Sequence, residues 1–226
     1  MNSAAKWLKT HFDFAFDDAT LLERALTHRS AASRNNERLE FLGDAVLDFV
    51  ASDLVYQRYP DADEGELSRL RSSLVRDTTL AEIAVSMDLG EHLILGGGEM
   101  KSGGHRRAST LADAVEAIFG AIYLDQGFAE AERVIRRVLG ERLENLPAVE
   151  DLKDPKTRLQ EFLQGRGHGL PEYATLSVTG QAHRQHFDVS CSVPSLDVTT
   201  TGSGSSRRYA EQAAADEMLR ALEAAS

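Results

Sequence analysis

Glu37-Arg38-Leu39-Glu40-Phe41-Leu42-Gly43-Asp44-Ala45-Val46-Leu47-Asp48-Phe49-Val50 interleaves acids and apolar residues at helical spacing. At about 100° per residue, with Glu37 set at 0°, Glu40 falls near 300° and Asp44 near 340°, whereas Leu39, Leu42, Val46, Phe49 and Val50 gather between about 120° and 220°. Three acids share one face, and the opposite face is expected to be core. Acids so spaced repel, by roughly a few tenths of a kcal/mol per neighbouring pair in water and by more when partly buried. A solvated face near a helix start, where the helix dipole favours negative charge, is one way to tolerate them. A bound cation is the other.

A second stretch shifts the balance toward the cation. Leu111-Ala112-Asp113-Ala114-Val115-Glu116-Ala117-Ile118-Phe119-Gly120-Ala121-Ile122-Tyr123-Leu124 reads as a strongly apolar helix carrying Asp113 and Glu116 on one side. Acids set among Leu, Ala, Val and Ile are not expected to be fully solvated. If the two helices pack together, Glu40, Asp44, Asp113 and Glu116 converge as hard oxygen donors, with no His or Cys close in sequence to suggest zinc. Magnesium suits such a set, with manganese as a substitute. A pocket of this kind, open to phosphate oxygens, matches two-metal hydrolysis of phosphodiesters.

Around these helices the chain divides into two grammars. Residues 4–146 carry helical periodicity with breaks at Tyr59-Pro60, Gly90, 96–104 and Gly127, and read as all-helical. A run rich in proline and charge follows, with a linker at 149–154. Next come a short amphipathic helix at 156–164, β-rich runs at 173–179, 186–192 and 196–201, and a last helix at 205–224. The expected architecture is therefore multi-domain: an all-α domain over 1–148, then a small α+β (α-β-β-β-α) domain over 155–226.

Charge follows the same division. The 226 residues hold 25 Lys+Arg and 36 Asp+Glu, a net charge of −11. From residue 151 on there are 8 cations against 10 anions, leaving 17 against 26 before it, so the acidity belongs mainly to the helical part. Taken alone, that balance argues against a polyanionic partner. No apolar run approaches the roughly 20 residues that span a bilayer, and 1–9 lacks a secretory core, so neither a membrane protein nor an exported one is expected. The single cysteine, Cys191, lies in an alternating run and is expected to be a buried, inert thiol of a cytoplasmic protein.

The run Glu37-Arg38-Leu39-Glu40-Phe41-Leu42-Gly43-Asp44-Ala45-Val46-Leu47 resembles the signature of ribonuclease III, the double-stranded RNA endonuclease. Leu26-Thr27-His28-Arg29-Ser30, Asp63-Glu64-Gly65-Glu66-Leu67-Ser68, Lys101-Ser102-Gly103-Gly104 and the Asp113 to Glu116 helix are similar to the same family, in the same order. Asp154-Pro155-Lys156-Thr157-Arg158-Leu159-Gln160-Glu161 and Gly202-Ser203-Gly204-Ser205-Ser206-Arg207-Arg208 resemble a double-stranded RNA-binding domain.

The resemblance implies a homodimer that cuts both strands of an RNA duplex, leaving 5′-phosphate and 3′-hydroxyl ends, with no small-molecule cofactor besides the metal. Precursors of ribosomal RNA and some messenger RNAs are the implied substrates. Glu40, Asp44, Asp113 and Glu116 match the metal-binding acids, with Asp44 and Glu116 catalytic; Glu37 and Glu64 match acids along the cleft between subunits. Phe41, on the polar side of its helix, matches a plug into the partner. Thr157, Gln160 and Glu161, then His183, match the two minor-groove readers, and Arg207 and Arg208 match the phosphate contacts. Glu211 stands where the family is often basic, and Tyr209 separates it from the arginine pair.

Two features rest on the residues themselves. The glycine-rich 96–107 segment, with Lys101, Arg106 and Arg107, reads as a flexible cationic loop able to clamp a phosphate strand. His28 reads as a hydrogen-bonded structural residue rather than a general base.

Overall fold

The computed structural model describes residues 3–146, 153–181 and 184–224; positions 149–152 of the segment read as a linker, and His183, lie outside them. The chain divides into two compact units, Met1–Pro147 and Ala148–Ser226.

The first unit is helical. Its elements are α1 (Ser3–Phe12), α2 (Ala19–Leu26), α3 (Glu37–Arg58), α4 (Glu64–Val75), α5 (Asp77–Ser86), a short α6 (Gly97–Lys101), α7 (Ala108–Gln126) and α8 (Phe128–Glu144). Helix α7 is the axis of the unit: Leu111, Ala112, Ala114, Val115, Ile118, Phe119 and Ile122 are all buried, and α2, α3, α5 and α8 pack around it. Its composition explains the position, since a helix apolar around most of its circumference must be largely surrounded. Gly127, at φ 83°, ends it and opens α8. The motif around Glu64 begins α4 with a capping box, in which the Glu66 N–H donates to Asp63 Oδ1 at 2.8 Å and the Asp63 N–H donates to Glu66 Oε2 at 3.0 Å.

Helices α3 and α7 share the largest helix contact of this unit. They approach so closely because the crossing point has no side chains. A Cβ built on Gly43 would overlap the Glu116 carbonyl, and one on Gly120 would overlap the Leu39 carbonyl. Backbone meets backbone there, which brings Glu40, about one turn before Gly43, near Glu116, about one turn before Gly120.

The buried side of α3 is centred on Leu39, Gly43, Val46, Leu47 and Val50. Phe49, expected on the core face, is instead 63% exposed and packs edge-on against the Phe128 ring, with centroids 5.5 Å apart. The glycine crossing turns α3 so that Gly43 and Leu47 face inward, which carries Phe49 outward.

The second unit has α9 (Pro155–Gly165), β1 (Glu172–Thr179), β2 (His186–Val193), β3 (Val198–Gly204) and α10 (Arg207–Ala224). The antiparallel sheet runs β1-β2-β3, pairing Tyr173 with Cys191 and Cys191 with Thr200, with an irregularity between Thr175 and Ser177. Both helices cover one face, burying Leu159, Leu163, Val193, Ala214, Met218 and Leu219 around Cys191. Burial pushes the Cys191 thiol up. The Asp-Pro-Lys-Thr motif is a helix start: Asp154 Oδ1 accepts from the Lys156 N–H at 2.9 Å and the Thr157 N–H at 3.1 Å, and Pro155 takes the first turn. The third strand begins at Val198, two residues later than the β-rich run suggested, because Pro194–Leu196 forms a 3-10 turn and Asp197 is left-handed.

Candidate active site

Glu40, one turn into α3, faces Asp113 and Glu116 on α7, and carboxylate oxygens of all three lie within 4.8 Å of one another. Each of the three is part-buried, and among the described residues none has an ion-pair or side-chain hydrogen-bond partner. Asp44 lies one turn further along α3, more exposed and outside this closest group. Its charge nevertheless reaches Glu116.

The cluster's electrostatics follow from that placement. Glu116 is pushed up to about 8, first by burial and then by the charges of Asp44, Asp113 and Glu40. Glu40 is raised by burial and by Asp113, Glu37 and Asp44. Asp113 is raised by burial and Asp77, with His28 and Arg29 acting the other way. Asp44 is raised by burial and Asp48. Carboxylates held this closely with no direct ion pair, and with Arg29 acting only from a distance, repel one another and favour sharing protons or taking up a positive ion. An all-oxygen donor set suits a hard divalent cation.

Glu40 and Asp113 of the cluster line an open cleft of ≈ 470 Å³ together with Glu37, His28, Arg29 and Arg107, whereas Glu116 lies outside its lining. Glu37 lies at the rim, accepting from Asn35 Nδ2 at 3.2 Å and sitting 3.6 Å from Arg29. Glu64 is not brought to this cleft within the chain. It lines a separate one of ≈ 440 Å³ with Phe49, Tyr56 and Arg71. Phe41, on α3 between Glu40 and Asp44, is 80% exposed.

The 96–107 segment, read from the sequence as a flexible loop, carries two short helical turns. Helix α6 and a 3-10 turn at Gly104–Arg106 fold it, Ser102 Oγ donates to the Glu99 carbonyl at 3.0 Å, and Arg107 is paired with Glu99. Glycines read as flexibility here serve the folding of two tight turns. Lys101 and Arg106 are exposed and have no ion-pair partner among the described residues.

In the second unit Thr157, Gln160 and Glu161 are exposed at neighbouring positions of α9, and Glu161 is paired with Lys153 at 2.7 Å. Arg207 and Arg208 begin α10, where Ser206 Oγ accepts the Tyr209 N–H at 3.3 Å. The surprise is Glu211. Its carboxylate takes the Lys156 ammonium at 2.7 Å and Arg207 Nε at 2.8 Å. Burial pushes its carboxyl up, but these two cations outweigh burial and hold it below the usual range. Lys156 also lies over the Tyr173 ring, 4.4 Å from its centroid. Nothing in the sequence signalled this pairing, because the partners are 55 positions apart.

Residues 18–143 match the ribonuclease-III-like family, and residues 155–222 match the double-stranded RNA binding motif. The chain is 55% identical over 216 residues to Ribonuclease 3 of Alkalilimnicola ehrlichii, covering 96% of this chain and 95% of the relative. The chain belongs to the ribonuclease III family. Ribonuclease 3 of Photobacterium profundum is 52% identical over 223 residues, covering 99% of this chain and all of that one. Among solved structures, a ribonuclease III nuclease domain from Campylobacter jejuni, described with a flexible region involved in dimer formation, superposes with a TM-score of 0.59 at 42% identity, covering 60% of this chain and 96% of that one. As a ribonuclease III, the protein is a double-stranded RNA endoribonuclease, with a helical nuclease domain followed by an RNA-binding domain. The family is metal-dependent, and the carboxylate cluster is where a metal fits. No helix among the described residues is long and apolar enough to cross a membrane.

Proposed function

We propose that the enzyme is a homodimer that hydrolyses both strands of an RNA duplex with magnesium, or manganese in its place, held by Glu40, Asp44, Asp113 and Glu116. The observation that carries this reading is the group of part-buried, unpaired carboxylates within 4.8 Å. Bound there, the ion supplies positive charge for the attacking water and the departing 3′ oxygen. The chain's part is to hold that charge in place and to shape the cleft. Asp44 and Glu116 are the catalytic acids of the set, and no side-chain base is needed. Cleavage leaves 5′-phosphate and 3′-hydroxyl ends.

The remaining residues handle the duplex and the partner. Phe41, exposed beside the acids, fits a socket on the second subunit, in keeping with the dimer-forming Campylobacter domain. Glu37 and Glu64 line the cleft that dimerisation completes. Lys101, Arg106 and Arg107 contact the strand near the acids. Thr157, Gln160 and Glu161 read one minor groove, His183 a second, and Arg207 and Arg208 meet the phosphates between them. A cytoplasmic enzyme acting on ribosomal precursors and some messenger RNAs belongs to the same proposal.

A labelled perfect duplex tests the reaction. Fragments with the stated ends are expected in magnesium; calcium, less exacting in geometry, supports binding with far slower cutting, and EDTA stops cleavage. Cleavage in EDTA, or equal rates in calcium and magnesium, overturns the metal assignment.

Glu211 gives a prediction for the RNA-binding domain. It occupies Lys156 and one face of Arg207, so two cations near the start of α10 are partly spent inside the protein. Glu211→Gln frees them and should tighten duplex binding. The plot of log affinity against log salt should steepen by about 0.9 per cation that reaches a phosphate. Binding measured from low to moderate salt in calcium checks this; a weaker complex with an unchanged slope contradicts it.

A further inference from the structure

We infer that His28 presents its Nε2–H as a fixed hydrogen-bond donor to a phosphodiester oxygen of the substrate lying against Glu40 and Asp113; the inference rests on the nuclease reading above.

The backbone around His28 is pinned from three sides. The His28 N–H donates to the Ile94 carbonyl at 3.0 Å, and the Ile94 N–H donates to the Leu26 carbonyl at 2.8 Å. The Asn36 N–H, just before α3, donates to the Thr27 carbonyl at 2.9 Å. The position is thereby tied to the end of α2, to the segment entering α6 and to the start of the helix that carries Glu40. This is a placed residue rather than a mobile loop histidine.

The ring is fixed as well. The Ser30 N–H donates to Nδ1 at 3.2 Å, and a backbone N–H can only donate, so Nδ1 carries a lone pair. Ser30 Oγ accepts the Gly96 N–H at 2.9 Å and lies 2.8 Å from the same Nδ1, so its own hydrogen is free to point there. Gly96 makes this chain possible, because a Cβ on it would overlap the Ser30 carbonyl. With Nδ1 an acceptor, the neutral ring carries its proton on Nε2. Nε2 has no hydrogen-bond partner among the described residues, and the ring lines the cleft whose wall is formed by Glu40 and Asp113. His28 is hydrogen-bonded, as the sequence suggested, and the inference adds a substrate contact on the ring's other nitrogen.

Two isosteric variants of the full-length enzyme separate this role from a structural one. In His28→Asn the amide occupies the place of Nδ1, keeping the tie to Ser30 and leaving nothing at Nε2. In His28→Gln the amide reaches the place of Nε2 and gives up that tie. Single-turnover cleavage of a perfect duplex in magnesium is measured beside melting temperature and duplex binding in calcium. The expected result is His28→Asn cutting about 10-fold or more slowly, with unchanged melting, and His28→Gln within about 3-fold of wild type. Wild-type cutting by His28→Asn overturns the inference. So does His28→Gln being the slower of the two, or equal loss in both with lowered melting, either of which assigns His28 to holding its loop. A wild-type chain that cuts no duplex removes the nuclease reading, and this inference with it; full-rate His28→Asn beside an active wild type removes only this inference.

Discussion

Glu116→Gln should fold, dimerise and bind duplex RNA in calcium while losing cleavage by about 10³-fold or more, the scale seen when one member of a catalytic unit is removed. The substitution keeps the shape of the side chain and deletes the anion. Glu116 is the acid on which the others converge: Asp44, Asp113 and Glu40 all act on it, and it is pushed up to about 8. The same placement sets how stability depends on pH in EDTA. In the unfolded chain Glu116 ionises near its ordinary value of 4.5, whereas in the folded chain it holds its proton to about 8. Between those values the folded state binds more protons than the unfolded state, so this group's contribution is fully present below 4.5 and is lost as pH rises toward 8. Wild type in EDTA should therefore lose melting temperature relative to Glu116→Gln between pH 5.5 and 8.5, and magnesium should recover more of it at the alkaline end, where the acids are ready to bind it. Parallel melting curves for the two proteins across that range, or substantial cutting by the variant, would show that Glu116 is not the acid at the centre of the cluster.

The acids were legible in the sequence because local periodicity carries them. Glu40 and Asp44 fall on one face of α3, Asp113 and Glu116 on one side of α7, and a helix fixes such relations within two turns. The helical nuclease unit, the α-β-β-β-α unit and the buried Cys191 were legible for the same reason, since each rests on a period or a turn signal. Features that depend on contacts between distant residues were not. Glu211 looked like a missing phosphate contact, and only the fold shows it closing on Lys156 across the two helices. The 96–107 segment looked flexible because glycine permits both a loose loop and a tight turn; the fold places short helical turns there, with Glu99 paired to Arg107. Phe49 was assigned to the core because an ideal wheel places the apolar centre by averaging. The real centre is set by where α7 touches α3, which the α3 sequence alone does not contain. The separation of Asp44 from the closest three acids has the same origin.

Gly43→Ala and Gly120→Ala test that contact, and here two physical effects oppose each other. By helix propensity alone, each substitution should stabilise its helix by about 1 kcal/mol. At the crossing, however, the added methyl meets backbone: Gly43 faces the Glu116 carbonyl and the Gly120 amide, and Gly120 faces the Leu39 carbonyl and the Gly43 amide. No side-chain rotation relieves that overlap, so the helices must separate, at roughly 1–3 kcal/mol or more for overpacking of this kind. The overlap should win, lowering the melting temperature by about 2–4 °C for each kcal/mol of net loss. Gly140→Ala, inside α8 with open space around the new methyl, is the control and should be neutral or mildly stabilising. Cleavage should fall further than stability, because the Glu116 carbonyl that must move belongs to the residue whose carboxylate completes the cluster. A displacement near 1 Å at such a site lowers rate by about 10²-fold. Measured well below the melting transition, slow cutting by a folded Gly43→Ala enzyme would tie helix spacing to the chemistry. Wild-type rate and melting in both variants would mean that the two helices do not meet backbone to backbone, and that something other than these glycines brings Glu40 to Glu116.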